Sequence, residues 1–173
     1  MIRIISGIHK GRRIAAPKNL PVRPTTDRAK EALFNILSNE LDFSAIRVLD
    51  LYAGTGNISY EFASRGCSDI TAVDAHPACV AFIKKTASAL DMPIVALRAK
   101  AESFRQRSRA HYDLVFADPP YNITPESLEE LVAAAGEQCL VVIEHTKEVN
   151  LEHLNGFREV RRYGGSAFSF FDL

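Results

Sequence analysis

Val48-Leu49-Asp50-Leu51-Tyr52-Ala53-Gly54-Thr55-Gly56 is the stretch that decides the fold of this chain. An apolar run with one acid ends in a turn of small residues, and residues 57–63 resume with apolar positions at helical spacing. The pattern predicts a strand, a glycine turn and a helix. Glycines at the carboxyl end of a strand let the backbone approach a ligand closely, because no Cβ stands in the way. In an open parallel sheet, that position lies at the mouth of the binding crevice.

Two acids accompany the glycine turn and indicate its ligand. Asp50 lies in the strand, and Asp74 ends the next apolar run about 20 residues after Gly54, where a carboxylate can accept hydrogen bonds from ribose hydroxyls. Ser59 stands where the dinucleotide fingerprint has its third glycine, which argues against NAD. The set Asp50, Gly54, Gly56 and Asp74 resembles the cofactor site of class I S-adenosylmethionine-dependent methyltransferases. A turn with two surface acids is the structural alternative.

A second motif follows a later strand. Residues 113–117 are mostly apolar, and Asp118-Pro119-Pro120-Tyr121 comes directly after them. The amine of a nucleobase is a poor nucleophile because its lone pair is delocalised into the ring. The Asp118 carboxylate and the Pro119 carbonyl can accept its two N–H groups, and Tyr121 offers a flat face on which the base can stack. We therefore interpret these four residues as catalytic, although two prolines that end a strand are the alternative.

The tetrad also constrains the substrate. It resembles the Asp/Asn/Ser-Pro-Pro-aromatic motif of methyltransferases that act on planar amino groups. A base stacked in a helix cannot reach such a turn, so the target nucleotide must be flipped out or already unpaired. The chemistry needs neither a metal nor a covalent nucleophile, because the methyl group of a sulfonium is already activated.

The charges are distributed unevenly along the chain. The 21 basic and 21 acidic residues balance, but residues 1–30 contain eight basic residues and one acidic residue. Two short apolar runs flank a turn that contains Gly7 and Gly11, which predicts a β-hairpin. Phosphate contacts release counterions, so a basic hairpin favours a polyanionic partner, with solvated surface charge as the alternative. The residues that we expect to contact RNA are Arg3, Lys10, Arg12 and Arg13.

The rest of the chain predicts the fold class. Prolines at 17, 21 and 24 indicate an extended linker, so we expect a basic hairpin and linker over residues 1–24 and one domain over residues 25–173. Apolar strands that alternate with helices predict an α/β, Rossmann-like fold whose mostly parallel sheet is covered on both faces. Residues 159–171 predict an antiparallel hairpin at its edge.

Several protein classes are disfavoured by the composition. The three cysteines, Cys67, Cys79 and Cys139, are odd in number and not at metal-ligand spacing, which suits a reducing cytosol. There is no run of 18 apolar residues and no basic-then-apolar leader, so neither a membrane span nor a secretory signal is indicated. We therefore expect a cytoplasmic protein with no metal and no membrane partner, and a monomer as the default.

Four motifs together resemble one family. They are Gly7-x-x-x-Gly11-Arg12, Arg23-Pro24-Thr25-Thr26-Asp27-Arg28-x-x-Glu31-x-Leu33-Phe34-Asn35, the run from Leu49 to Gly56, and the run from Asp118 to Tyr121. Over nearly its full length the chain resembles the bacterial small-subunit ribosomal RNA guanine-N(2) methyltransferases of the RsmD-like type. The resemblance implies methylation of one guanine amine in ribosomal RNA or the small ribosomal subunit, with the hairpin on RNA.

The resemblance also implies the cofactor and its contacts. The cofactor is S-adenosyl-L-methionine, and the residues expected to hold it are Thr25, Thr26, Asp50, Tyr52, Ala53, Gly54, Gly56, Asp74, Ala75 and Ala101. The chain departs from the family pattern at residues 57–62, where a Gly-Ala-Leu-Gly-Leu-Glu-like run is usual. In the turn at residues 98–102, which is expected to close over the adenine, family members often have an acid before the small residue. This chain has Lys100 before Ala101. The segment after Tyr121 is shorter than expected.

Three other functions remain open at this stage. Protein glutamine methyltransferases favour Asn-Pro-Pro-Tyr and carry an extra recognition domain, so Asp118 weighs against them. A DNA amino-methyltransferase would need a target-recognition insertion, and no segment is long enough. A catalytically idle RNA-binding or assembly factor would keep the same fold.

Overall fold

A short ribbon of two strands precedes the main sheet. In the computed structural model, which describes residues 1–22 and 25–173, β1 (Ile2–Arg3) pairs antiparallel with β2 (Arg13–Ile14). The predicted hairpin is therefore confirmed, with strands shorter than the apolar runs. Arg23 and Pro24, which belong to the family motif, lie outside the described residues.

Seven strands of the described residues form the main sheet, in the spatial order β5-β4-β3-β6-β7-β9-β8. Strands β3 to β7 are parallel, and β9 is antiparallel to both of its neighbours. The mostly parallel sheet with an antiparallel hairpin at its end is confirmed, and the outermost strand is β8. The strands are β3 (Arg47–Leu51), β4 (Asp69–Asp74), β5 (Ile94–Arg98), β6 (Leu114–Ala117), β7 (Leu140–Thr146), β8 (Phe157–Tyr163) and β9 (Ser166–Asp172).

In the part of the chain that the structure describes, five α-helices connect and cover the strands, and their starts follow local sequence signals. The Thr26 hydroxyl accepts a hydrogen bond from the Ala29 amide at the start of α1, and Pro77 and Pro125 occupy the first turns of α3 and α5. The helices are α1 (Asp27–Glu40), α2 (Asn57–Ser64), α3 (Pro77–Ala89), α4 (Ala101–Arg107) and α5 (Pro125–Ala133), with a 3₁₀ turn at Phe43–Ala45.

Alternate residues of the strands enter two separate apolar cores. Val48 packs with residues of α1, α2 and α3, whereas Leu49 packs on the opposite face with residues of α4 and α5. The expectation that both faces are covered is wrong at the edge strand β5, where Val95 and Leu97 are 59% and 38% exposed. This strand alternates between a covered and an open face because it is the last strand of the sheet.

The strand order places a crevice beside β3. The chain leaves β3 toward β4 and β5 on one side and returns to β6 on the other, so the order of connection reverses between β3 and β6. Ligands of open α/β sheets bind at the carboxyl ends of the strands at such a reversal. Both motifs found in the sequence lie there, because the glycine turn follows β3 and the Asp-Pro-Pro-Tyr tetrad follows β6.

Candidate active site

A cavity of about 340 Å³ lies at the carboxyl ends of β3 and β6. Most of the site residues named from the sequence are in its lining: Thr25, Asp50, Tyr52, Ala53, Gly54, Asp74, Asp118, Pro119, Pro120 and Tyr121. Sequence reasoning missed six further lining residues, which are Pro21, Val22, Thr55, Asn57, Ile58 and Phe116. The volume of the cavity falls within the range of about 300–1,000 Å³ that is typical of small-molecule sites.

The glycine turn is shaped by its own backbone. Gly54 has a φ of 56°, and its amide donates a hydrogen bond to Oδ2 of Asp74 at 2.8 Å. Gly56, the N-cap of α2, has a φ of 85°, and a Cβ there would lie 2.7 Å from the Tyr60 ring. Gly56 is therefore required by packing, and it is not among the residues that line the cavity.

Asp74 is held in a fixed orientation at the end of β4. Its Oδ2 accepts the Gly54 amide and its Oδ1 accepts the His76 amide, each at 2.8 Å. A carboxylate has about four lone-pair positions, so both oxygens retain capacity for ligand hydroxyls. The two backbone contacts fix its direction and leave part of its acceptor capacity for a ligand.

Asp50 is a buried acid in the cavity wall. It is 1% exposed, and the Ser59 hydroxyl donates a hydrogen bond to its Oδ2 at 2.5 Å. Burial raises the pKa of Asp50 to about 7, although the hydrogen bond from Ser59 opposes the shift. Ser59, the residue at which the glycine fingerprint fails, is therefore the partner of the strand acid.

Parallel pairing brings the Asp-Pro-Pro-Tyr tetrad beside the glycine turn. Leu51 pairs with Ala117, and the Asp118 amide donates to the Leu51 carbonyl at 3.4 Å. Pro119 is buried and Tyr121 is 59% exposed. The Ile123 amide donates to the Pro120 carbonyl at 3.0 Å and closes the turn. An exposed aromatic ring thus stands beside an acceptor-rich turn at the cavity mouth.

A buried ion pair lies behind the cavity. Lys30 is fully buried and donates to the Arg3 carbonyl at 2.6 Å and to Asn57 Oδ1 at 2.8 Å, with Glu61 Oε2 at 3.4 Å. Glu61 also accepts the amides of Ile5 and Ser6 at 2.9 and 3.0 Å. Desolvation lowers the pKa of Lys30, and Glu61 opposes that shift. Counting Lys30 with the basic surface of residues 1–30 is therefore wrong, because its charge is used internally.

The hairpin is docked rigidly against α2. The Ser64 carbonyl accepts the Ile8 amide at 2.8 Å, and its hydroxyl accepts the His9 amide at 3.0 Å and donates to the Ser6 carbonyl at 2.5 Å. Gly7 has a φ of 85°, and a Cβ there would lie 1.8 Å from the Ser64 carbonyl oxygen. The fixed hairpin leaves three of the expected RNA contacts exposed to solvent: Lys10, Arg12 and Arg13. Arg3 instead donates to Asp27 at 2.9 Å and is about half exposed.

Comparison with known proteins decides the family. The family model described as Conserved hypothetical protein 95 matches residues 2–172. The chain belongs to this family. The strand order and the neighbours with methyltransferase folds also confirm the predicted class I methyltransferase fold.

Some relatives of this chain are named as RNA-methylating enzymes. Ribosomal RNA small subunit methyltransferase D of Buchnera aphidicola subsp. Baizongia pistaciae is 33% identical over 124 residues, which are 71% of this chain and 63% of that protein. YlbH of Bacillus subtilis, a proposed rRNA methyltransferase, is 30% identical over 166 residues, or 90% of this chain and 88% of that protein. The matched region thus spans less than two thirds of the Buchnera relative. The predicted resemblance to RsmD-like proteins is confirmed by the family model and by these relatives.

A solved structure extends the likeness. YhhF of Escherichia coli, a proposed methyltransferase, superposes with a TM-score of 0.84 at 25% identity, over 98% of this chain and 96% of that chain. The likeness covers the hairpin as well as the sheet.

Besides Gly56, three positions implied by family resemblance lie outside the cavity lining. Thr26 caps α1 through its side chain, Ala75 is exposed, and Ala101 is buried in the core at the start of α4. Thr25 lies in the lining, and its hydroxyl donates to Oε2 of the buried Glu144 at 2.7 Å. Thr25 and Glu144 are 119 positions apart in the sequence, so no local pattern could have indicated Glu144.

Residues 1–22 and 25–173 contain neither a metal-ligand cluster nor a membrane-spanning helix. Among them, no group of His, Cys, Asp and Glu side chains could hold a metal ion. No described helix is both long enough and apolar enough to cross a bilayer.

Proposed function

We propose that the protein transfers the methyl group of S-adenosyl-L-methionine to the exocyclic N2 amine of a guanine in small-subunit ribosomal RNA. The observation that carries the proposal is the single cavity in which the glycine turn, Asp74 and the Asp-Pro-Pro-Tyr tetrad meet. The names of the curated relatives support ribosomal RNA as the substrate. Family resemblance supplies guanine N2 as the acceptor.

The cavity wall fits a cationic nucleoside cofactor. Asp74, fixed by two backbone amides, is placed to accept the ribose hydroxyls. The backbone at Gly54 allows close approach because it carries no Cβ. Asp50 contributes a carboxylate to the same wall, and its ionised form favours a ligand with a sulfonium and an ammonium group. The bound cofactor supplies an activated methyl group.

The tetrad positions the acceptor amine. The Asp118 carboxylate and the Pro119 carbonyl each accept one N–H of the amine, which localises the nitrogen lone pair toward the methyl group. Tyr121 stacks on the base, a contact worth about 1–3 kcal/mol. As the nitrogen takes the methyl group, the carbon–sulfur bond of the sulfonium breaks and the nitrogen loses one proton, which the Asp118 carboxylate would accept. Catalysis then rests on alignment and exclusion of water rather than on a covalent intermediate.

The docked hairpin supplies the RNA surface. Lys10, Arg12 and Arg13 are exposed on a frame that is held by Ser64 and Glu61. Because the frame is already ordered, binding costs less conformational entropy than a floppy tail would. A protein that acts on ribosomal RNA is expected in the cytoplasm. The residues of the proposed reaction all belong to one chain, so the reaction does not require an oligomer.

The experiment is labelled-methyl transfer to three substrates in parallel: unmodified small ribosomal subunits, protein-free small-subunit RNA, and duplex DNA, each followed by nucleoside analysis. We expect N2-methylguanosine from ribosomal particles or RNA and no label in DNA. Label in methyladenine or methylcytosine of DNA would instead identify a DNA amino-methyltransferase. Cofactor binding without transfer to any substrate would favour an idle assembly factor.

A further inference from the structure

A threonine hydroxyl in the cavity wall is oriented by a buried carboxylate. Thr25 lines the cavity, and its hydroxyl donates to Oε2 of Glu144 at 2.7 Å. Both residues are buried, so bulk water does not compete for this hydrogen bond. A hydroxyl has one hydrogen and two lone pairs, whereas an ionised carboxylate can only accept. Because its hydrogen is committed to Glu144, Oγ1 of Thr25 offers only lone pairs to a ligand in the cavity.

The position of Glu144 in the sheet places this hydroxyl on the side of the cavity where the tetrad lies. Strand β7 is the neighbour of β6, and Ala117, the last residue before the tetrad, pairs with Ile143, the last residue before Glu144. Strand β4, which carries the carboxylate proposed to bind the ribose, lies on the far side of β3. The Thr25 side chain is therefore directed to the acceptor-base side of the cavity.

The backbone of Thr25 is held by a second contact. Nδ2 of Asn57, another residue of the cavity lining, donates to the Thr25 carbonyl at 3.3 Å. The Asn57 side chain is itself fixed, because its Oδ1 accepts a hydrogen bond from the buried Lys30 at 2.8 Å. One contact to the side chain and one to the backbone leave the Thr25 hydroxyl little freedom to turn. Its oxygen is thus a preorganised acceptor.

Bases that carry an exocyclic amine differ at the ring nitrogen beside that amine on the Watson–Crick edge. In guanine this nitrogen, N1, carries a hydrogen and is a donor, whereas in adenine and cytosine it has a lone pair and is an acceptor. Enzymes that bind a flipped base read this edge by hydrogen bonds. In the proposed function, Asp118 and Pro119 accept the two N–H groups of the amine. A third acceptor in the same cavity favours guanine and opposes the other two bases.

We propose that Oγ1 of Thr25, with its hydrogen directed to Glu144, accepts the N1–H of the target guanine and selects guanine over the other amino-bearing bases. The proposal rests on the proposed function, because it concerns the acceptor base of that reaction. It makes Thr25 a specificity-determining residue and Glu144 its positioning residue. It also assigns the Thr25 side chain to the acceptor base, whereas the family resemblance implied a cofactor contact.

The test compares two bases that carry the same amine. The base 2-aminopurine keeps the 2-amino group of guanine, but its N1 has a lone pair in place of the hydrogen. Small-subunit RNA is prepared by ligation with guanine or 2-aminopurine at the nucleotide that the wild type methylates, and single-turnover transfer from S-adenosylmethionine is measured. The wild type should prefer guanine. Thr25→Val should lower that preference by about tenfold, because the acceptor that distinguishes the two bases is lost.

Three further variants show whether the preference depends on an oriented hydroxyl. Thr25→Ser keeps the hydroxyl and should keep the preference of the wild type. Glu144→Gln should lower the preference by a smaller factor, because an amide N–H can donate to Thr25 and release its hydrogen toward N1 of 2-aminopurine. Thr71→Val removes a threonine hydroxyl from β4, outside the cavity lining, and should leave the preference unchanged.

Calorimetric affinity for S-adenosylhomocysteine, measured on the same samples, reports folding and cofactor binding. If Thr25→Val slows transfer to both bases equally, or to neither, Thr25 does not read N1. A loss that weaker cofactor binding fully explains would also overturn the proposal, and the proposed function would stand in each of these cases. If Thr25→Val does not fold, Glu144→Gln decides, and an unchanged preference overturns the proposal. Absence of N2-methylguanosine from the wild-type reaction would overturn the proposed function as well.

Discussion

The protonation of Asp50 is set mainly by burial and is adjusted by the hydrogen bond from Ser59. Asp50 is buried, and its pKa rises to about 7 because desolvation outweighs the hydrogen bond from Ser59. In the unfolded chain, the same carboxyl group titrates near 3.8. The folded protein therefore holds one more proton than the unfolded chain between these two values, and the free energy of unfolding falls as the pH rises through that window.

Ser59→Ala should extend this window upward. The substitution removes the hydrogen bond that lowers the Asp50 pKa, so the loss of stability should continue to a pH above 7. Urea unfolding from pH 4 to 9 measures the effect, with Asp50→Asn expected to remove the corresponding pH dependence and Ser88→Ala, on the exposed face of α3, as a control. Identical pH profiles for the wild type and Ser59→Ala would show that Ser59 does not tune Asp50.

Residues within one local motif were legible from the sequence, whereas their distant partners were not. Spacing along the sequence was enough to predict a binding site from Asp50, Gly54, Asp74 and the tetrad at 118–121. The structure brings these residues together around one cavity. Glu102 and Glu144 carry no such signal, because their partners Tyr52 and Thr25 are 50 and 119 positions away. Only packing of the sheet brings these pairs together.

At the scale of elements, the hairpin depends on its contact with the end of α2. Gly7→Ala would place a Cβ 1.8 Å from the Ser64 carbonyl oxygen, so the hairpin must move away. RNA affinity should fall by about tenfold or more, since the basic residues lose their frame, while cofactor affinity stays near the wild-type value. Filter binding and calorimetry on the same preparation measure the two affinities.

Gly11→Ala is the matched control for this prediction. Gly11 has a φ of 80°, similar to that of Gly7, but no atom lies within 4 Å of a Cβ built there. It shares the backbone strain without the clash, and its effect on RNA affinity should be the smaller of the two. Equal losses for both variants would mean that strain in the turn, rather than docking on Ser64, governs RNA binding.

The buried ion pair joins the hairpin to the body. Lys30→Met should lower the free energy of unfolding by about 1–3 kcal/mol, because the Arg3 carbonyl and Asn57 Oδ1 lose a buried donor, whereas Glu61 keeps Arg65 as an ion-pair partner. Arg3→Met removes the exposed pair with Asp27 and should cost about 0–1 kcal/mol. Chemical denaturation of both variants measures the difference. A loss below about 1 kcal/mol for Lys30→Met would contradict the structural role given to the pair.

Helices and turns were predicted correctly where a local sequence signal marks them. Burial was predicted less well, because it depends on which elements pack over a residue. Proline and threonine at the starts of helices indicated α1, α3 and α5, and the glycine pair at 164–165 indicated the turn between β8 and β9. The exposed face of β5 was missed, because its sequence is as apolar as that of a central strand. Burial of Lys30 was missed because a lysine on a helix gives no sign of a carboxylate 31 residues away.

At the scale of the whole molecule, charge is separated between a basic hairpin and an acidic body. Replacing Lys10, Arg12 and Arg13 with Ala should weaken RNA binding and reduce the slope of log K against log salt by about 2 to 3, since each phosphate contact contributes about 0.7 to 0.9. Affinity for the cofactor should not change. Titrations at several salt concentrations give the slope.

A control variant carries the same change of charge elsewhere. Arg107, Arg109 and Arg161 are exposed basic residues outside the hairpin. Their replacement with Ala should leave the salt slope close to that of the wild type. If both triple variants reduce the slope equally, RNA contacts are spread over the whole surface and the hairpin is not the RNA-binding element.

The proposed function depends on the tetrad at the end of β6, which we expect to catalyse methyl transfer to a guanine amine. Its most direct test is single-turnover transfer to small-subunit RNA or particles by the wild type and Asp118→Ala, with the affinity for S-adenosylmethionine measured on the same samples. We expect the rate of N2-methylguanosine formation to fall by about 10²–10⁴, while cofactor affinity changes by less than about threefold. An unchanged rate would contradict the role of Asp118, and so would a loss that cofactor binding alone explains.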